Sequence, residues 1–211
     1  MQLYFAPLTC SLACRIALYE AGADFEAIEV DRLTKEIVGG GDYREIHPIG
    51  TVPALRRDDG RVLTENAAVL LHIADAYPDA GLAPQGERDE VRQWLSFVGS
   101  EIHKGVFYPH FDPTSDEVVK VYARSRARAR FPHVERRLAE HDFLLSDFSV
   151  ADCYLFTTLQ WTVATPIELS DWPLLAAYHA RLAKRPSVAR AVADELPLYR
   201  AQQERREALA S

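Results

Sequence analysis

Cys10 and Ser11 stand in the stretch APLTCSLACRIALYEAG, residues 6 to 22, where a short apolar strand gives way to a helix. A thiol at that junction lies beside free backbone N–H groups and the positive end of the helix dipole. Both stabilise a thiolate, either its own or a ligand's. Cys14 follows four residues later, so the pair is not a C-x-x-C dithiol, and redox chemistry at Cys10 needs an external thiol. Cys14 and Cys153 sit in apolar helical patterns and read as inert buried thiols. Val52-Pro53 is the second feature: X–Pro bonds tolerate the cis form, and a cis bond here would turn the Val52 backbone outward as an edge for a peptide. Third is LTENAA, where Glu65 and Asn66 fall at a helix N-terminus. They suit a plain capping role, or recognition of an amino-acid head group, with N–H groups and Asn66 holding the carboxylate and Glu65 the ammonium.

The elements that must position these residues fall into two patterns. QLYF reads as a strand, Leu12, Ile16 and Tyr19 recur at helical spacing, and Gly22 stops that helix. FEAIEV alternates as a second strand, followed by an irregular segment through DRLTKEIVGGGDYREIHPIG. VPAL and RVLT form a hairpin around Asp59-Gly60, and Glu65 to Tyr77 reads as a helix. The order is βαβ, loop, ββα over residues 1–77, with a turn-rich linker at 78–86.

Strand signals vanish over residues 87–211. Val91, Trp94, Leu95, Val98 and Ile102 predict one long amphipathic helix from Glu87 to Tyr108. DEVVKVYARSRARARFPHVERRLAEH predicts a second, which Pro132 can bend. Ser149 and Asp152 resemble a capping box opening the apolar run VADCYLFTTLQWTVA, a central helix buried on nearly all sides. DWPLLAAYHARLAKR and SVARAVADEL are two more helices, and RAQQERREALAS reads as a polar tail.

Of the 211 residues, 48% are hydrophobic and 26% charged, the balance of a soluble globular chain. A formal charge of −7 disfavours nucleic acid or an anionic membrane as the main partner. Three cysteines, spaced for neither a disulfide framework nor a metal site, suggest a reducing cytoplasmic setting. No basic N-terminal region precedes an apolar one, and no apolar run approaches the ~18 residues of a membrane span, so neither export nor membrane insertion is expected.

Five stretches, LYFAPLTCSLACRIALYEAG, HPIGTVPAL, DDGRVLTENAAV, EIHKGVF and FSVADCYLFTTLQW, together resemble the glutathione transferases, most nearly the bacterial beta class. The resemblance runs over nearly the whole chain. It implies an α/β thioredoxin-like N-terminal domain followed by an all-α helical domain, glutathione as co-substrate, and a homodimer. Position by position, it implies that Cys10 contacts the glutathione sulfur, with Ser11 as the adjacent hydroxyl. Lys35 would meet the glycine carboxylate, the Val52 backbone the cysteinyl part, and Glu65 with Asn66 the γ-glutamyl end. Ser96, Ser100, Glu101, Ile102, His103 and Lys104 would line the same cleft, with His103 and Lys104 facing the sulfur. Phe107, Tyr108, Trp161 and Thr165 would wall the site for an apolar substrate. Ile49, Thr51 and Asn66 depart from the residues frequent at their places in the family, and Asn66 retains a hydrogen-bond donor and acceptor.

The leading expectation is conjugation: glutathione's thiolate attacks an electrophilic carbon held in an apolar interdomain cleft. A second is thiol-disulfide transfer or peroxidase chemistry through mixed disulfides at Cys10. The third is an apolar-ligand binding protein that keeps the fold without catalysis.

Overall fold

The computed structural model describes residues 1–210. A four-stranded sheet is formed by β1 (Gln2–Phe5), β2 (Glu26–Glu29), β3 (Ala54–Arg56) and β4 (Val62–Thr64), in the order β2-β1-β3-β4. β1 runs parallel to β2, with Gln2 opposite Glu26, while the β3 and β4 pairings are antiparallel. Gly60, at a φ of 80°, closes the β3–β4 hairpin where Asp59-Gly60 predicts it.

Alternation along β1 explains how one short strand serves two cores. Leu3 and Phe5 face α1 (Leu12–Glu20) and α2 (Asn66–Ala76) in the main core, whereas Tyr4 points to the opposite face. There it meets Val30, Tyr43 and Ala54, so the irregular segment after β2, with a single 3-10 turn at Tyr43–Glu45, covers that side of the sheet.

The helical half departs from the sequence reading in three places. The run expected to be one buried central helix is α-helical only over Val150–Leu159 and continues as a 3-10 turn at Gln160–Ala164, where no residue is buried. Instead of one regular helix from Glu87 to Tyr108, the chain forms α3 (Arg88–Phe97), a π-helical stretch at Val98–Phe107 and a short α4 (Tyr108–Phe111). Buried Val98, Ile102 and Val106 recur every four residues, a spacing that an α turn and the wider π turn both accommodate. The expected polar tail is helical: α8 (Pro186–Ala210) runs through Pro197 as one element. Its distal part is held by the first domain, where Arg205 donates to Glu29 and Gln202 to Asp31.

α5 (Glu117–Leu138) likewise continues through Pro132, and α7 (Pro173–Leu182) flanks the centre. α6 (Val150–Leu159) is that centre, buried at every position, and its capping box is formed by Ser149 and Asp152 as expected. α6 packs directly on α1, and one continuous core carries Leu12 and Ile16 of the first domain together with Leu155 and Leu159 of the second. Each such side chain contributes roughly 1.5–3 kcal/mol by burial, so the interface between the halves is a core rather than a contact.

Candidate active site

Cys10 stands one residue before Ser11, the N-cap of α1, and its thiol donates a hydrogen bond to the Val52 carbonyl at 3.2 Å. The Val52–Pro53 bond is cis, as the outward-facing edge requires. The geometry corrects one half of the thiolate expectation. Burial outweighs Lys104 and the neighbouring N–H groups and pushes the Cys10 thiol up to about 11, so it remains protonated near neutrality. Alkylation of Cys10 by iodoacetamide is therefore expected to be slow at neutral pH and to rise about tenfold per pH unit towards 11. A rate already level by pH 8 would contradict this.

Ser11 is fully buried and turns away from the sulfur, its hydroxyl bonded to the backbone of Ala6 and to Thr9. It shapes the strand-to-helix turn. Cys14, also buried, donates through sulfur to Asn66 Oδ1 at 3.1 Å. Asn66 thereby has its carbonyl oxygen anchored, while its Nδ2 is buried without a hydrogen-bond partner at the start of α2. Glu65 beside it is exposed at a φ of 69°, and it makes no salt bridge among the described residues. An orphan donor, free helical N–H groups and an unpaired carboxylate thus sit side by side.

Lys35 also has a positive φ, 68°, and is half-buried. Its stem lies against Gly50, where any added Cβ would come within 3.2 Å of Lys35 Cδ.

The helical residues separate into two groups. His103 is half-buried with Nδ1 2.7 Å from the Tyr154 hydroxyl and its ring 4.9 Å from that of Trp161. Burial and the Lys104 charge hold its pKa down to about 3, so it is a neutral imidazole across the physiological range. Lys104 sets its ammonium 4.3 Å over the Tyr108 ring and acts electrostatically on Cys10. Ser96 and Ser100 are exposed, with the Ser100 hydroxyl donated to the Ser96 carbonyl. Glu101 and Ile102 point elsewhere: Glu101 is paired with Arg126 and Arg130 of α5, and Ile102 is fully buried in the core.

Trp161 is fixed at the domain junction, donating Nε1–H to the Leu8 carbonyl at 2.9 Å. Phe107 is fully buried, packed behind Trp161 with ring centroids 5.8 Å apart, so it supports the wall without surfacing on it. Tyr108 is exposed and Thr165 half-buried, both accessible to a ligand.

Two further residues shape this site without having been singled out in the sequence. The Tyr154 hydroxyl joins His103, faces the Asn66 side chain and lies within electrostatic reach of Cys10; burial raises its pKa, so it stays protonated. A tyrosine in a fully apolar run needs a partner for its hydroxyl, and that was the available signal. Glu195 of α8 is fully buried, accepting from the Leu8 N–H at 2.7 Å and Arg15 Nε at 2.8 Å. Its signal was a charge in register with buried Val188 and Ala191. Leu8 is thus held on both sides, two residues before the thiol. No group of three His, Cys, Asp or Glu side chains is placed to hold a metal among the described residues.

A mixed four-stranded sheet that turns a cis-proline edge toward a cysteine, with a helical domain packed over it, defines a two-domain thioredoxin-like protein. Residues 9–76 match the family model for the glutathione S-transferase N-terminal domain, and residues 108–181 that for the C-terminal domain. The chain belongs to the glutathione S-transferase family. It is 38% identical to glutathione S-transferase GstA of Escherichia coli O157:H7, the match covering 92% of this chain and 98% of that one. It is 34% identical to glutathione S-transferase GST-4.5 of Xanthomonas campestris, over the same shares of each. Among solved structures, a sphingomonad glutathione S-transferase in complex with glutathione is 42% identical and superposes with a TM-score of 0.88. That match covers 92% of this chain and 98% of the other. A bacterial beta class enzyme of Sphingomonas chungbukensis is 44% identical with the same TM-score and shares, in line with the class resemblance read from the sequence.

Proposed function

We propose that this chain binds glutathione along the Val52 edge and directs its thiolate at electrophilic carbon in an apolar small molecule, the new C–S bond forming as a leaving group such as halide departs with its bonding pair. The observation that carries the reading is the Cys10 thiol on the Val52 carbonyl, which sets a cysteine against the backbone edge that a thiol peptide would use. The γ-glutamyl end falls to Glu65, Asn66 Nδ2 and the first N–H groups of α2, and the glycine carboxylate to Lys35. The α1 N-terminus and Lys104 favour the bound thiolate over the thiol, each unit of lowered pKa being worth ~1.4 kcal/mol. His103 is neutral there and serves as a hydrogen-bonding group rather than a cation. Trp161, Tyr108 and Thr165 then present the electrophile.

Redox chemistry would ask Cys10 itself to be the nucleophile, and its raised pKa works against that role. Calorimetric titration with glutathione, of the reduced protein and of Cys10→Ala, tests the two readings. Comparable binding by both is expected. Binding lost only in the variant would bring redox chemistry forward, and no binding by either would remove the transferase reading.

A homodimer is part of the proposal, supported by the exposed apolar Val118, Val121 and Tyr122 along α5. Three unpaired cysteines support a cytoplasmic setting, and no helix among the described residues is long and apolar enough to cross a membrane.

A further inference from the structure

Tyr43 sits on the face of the sheet away from Cys10's helix, in the irregular segment that contributes Lys35 and leads to Val52. Its ring is fully buried and packs on Tyr4 at 5.6 Å. Packing alone would be served by phenylalanine; the hydroxyl does something else. It donates to the Thr51 carbonyl at 2.9 Å. That carbonyl and the Val52 N–H belong to one planar peptide unit, and in a trans unit the two point in opposite directions. Fixing the carbonyl towards Tyr43 therefore aims the Val52 N–H the other way. Beside it, His47 Nε2 lies 3.0 Å from Thr51 Oγ1 and supplies a second anchor to the same residue.

The main chain of Tyr43 holds the other end of the segment. Its N–H donates to the Lys35 carbonyl at 2.8 Å, and its own carbonyl accepts from the N–H groups of Ile46 and His47. From His47 the chain turns back at once, with Gly50 N–H on the His47 carbonyl at 2.7 Å, bringing Gly50 against the Lys35 stem. One residue thus ties together Lys35 and the Val52 edge, both in left-handed or turning backbone that has no regular secondary structure to hold it.

We propose that Tyr43, with His47 beside it, is a positioning residue for glutathione: its hydroxyl sets the direction of the Thr51–Val52 peptide unit and its backbone sets Lys35. The proposal rests on the reading of Val52 and Lys35 as glutathione contacts. It also gives the Thr51 hydroxyl a role, as the group that His47 holds.

The test is Tyr43→Phe in the full chain, titrated calorimetrically with glutathione and with γ-glutamylcysteine, which lacks the glycine. The Val52 edge serves the part common to both, so both are expected to bind roughly fivefold or more weakly, because the Thr51 carbonyl has lost a buried partner. Turnover of an aryl halide at saturating glutathione stays within about twofold, since KM rather than kcat carries the loss. Lys35→Ala, in contrast, weakens glutathione alone. Unchanged binding of both thiols by Tyr43→Phe, or a lowered melting temperature with unchanged binding, overturns the proposal. If the wild-type chain binds neither thiol, the glutathione reading falls first and this inference with it. Should Tyr43→Phe fail to fold, Thr51→Val removes the His47 anchor alone, and weaker binding of both thiols supports the proposal where unchanged binding refutes it.

Discussion

Replacing Asp152 by alanine is expected to lower the free energy of unfolding by about 4 kcal/mol, seen as a large drop in the urea midpoint with an unchanged slope. The fully buried carboxylate accepts from the Ser149 N–H at 2.9 Å, the Ser149 hydroxyl at 2.8 Å, the Leu144 N–H at 3.0 Å and the Tyr178 hydroxyl at 2.7 Å. A capping residue alone is worth ~1 kcal/mol. The rest comes from stranding donors on three separate segments where water cannot reach them. Asparagine should rescue little, because its amide nitrogen would face donors. A loss under about 1 kcal/mol would show that the cap is the whole effect.

Glu65→Gln is expected to raise the KM for glutathione roughly tenfold or more while leaving thermal stability where it was. The carboxylate is exposed, forms no ion pair among the described residues, and costs the fold nothing when neutralised. A charge-assisted bond to the γ-glutamyl ammonium is what the glutamine forfeits. Steady-state kinetics in glutathione, paired with a thermal melt, separates the two effects. An unchanged KM would mean that the ammonium is held elsewhere.

Most of the sheet was legible because its signals are local. Alternation marks β1, Asp59-Gly60 marks the hairpin, and Ser149 with Asp152 marks the start of α6. The end of α8 was not legible because its helicity depends on another part of the chain. RAQQERREALAS is polar all round by composition, yet Gln202 is buried and Arg205 finds Glu29 on β2. The π stretch was missed for a related reason: Val98, Ile102 and Val106 satisfy an i,i+4 pattern that suits either helix. Around the site, the residue types at Cys10, Val52, Glu65 and Asn66 could be read directly. What could not be read was the desolvation that keeps Cys10 protonated, or the hydroxyls of Tyr154 and Tyr43, whose partners lie 51 and 8 residues away.

The core that runs without interruption from α1 into α6 bears on how this chain was assembled and how it comes apart. The sheet half and the helical half are distinct in sequence pattern and in secondary structure. Physically they are a single melting unit, because parting them would bare Leu12, Ile16, Leu155 and Leu159 to water at the same moment. A segment grafted from a relative therefore has to match the facing half side chain by side chain, and the natural crossover points for recombination lie outside that seam rather than between the halves.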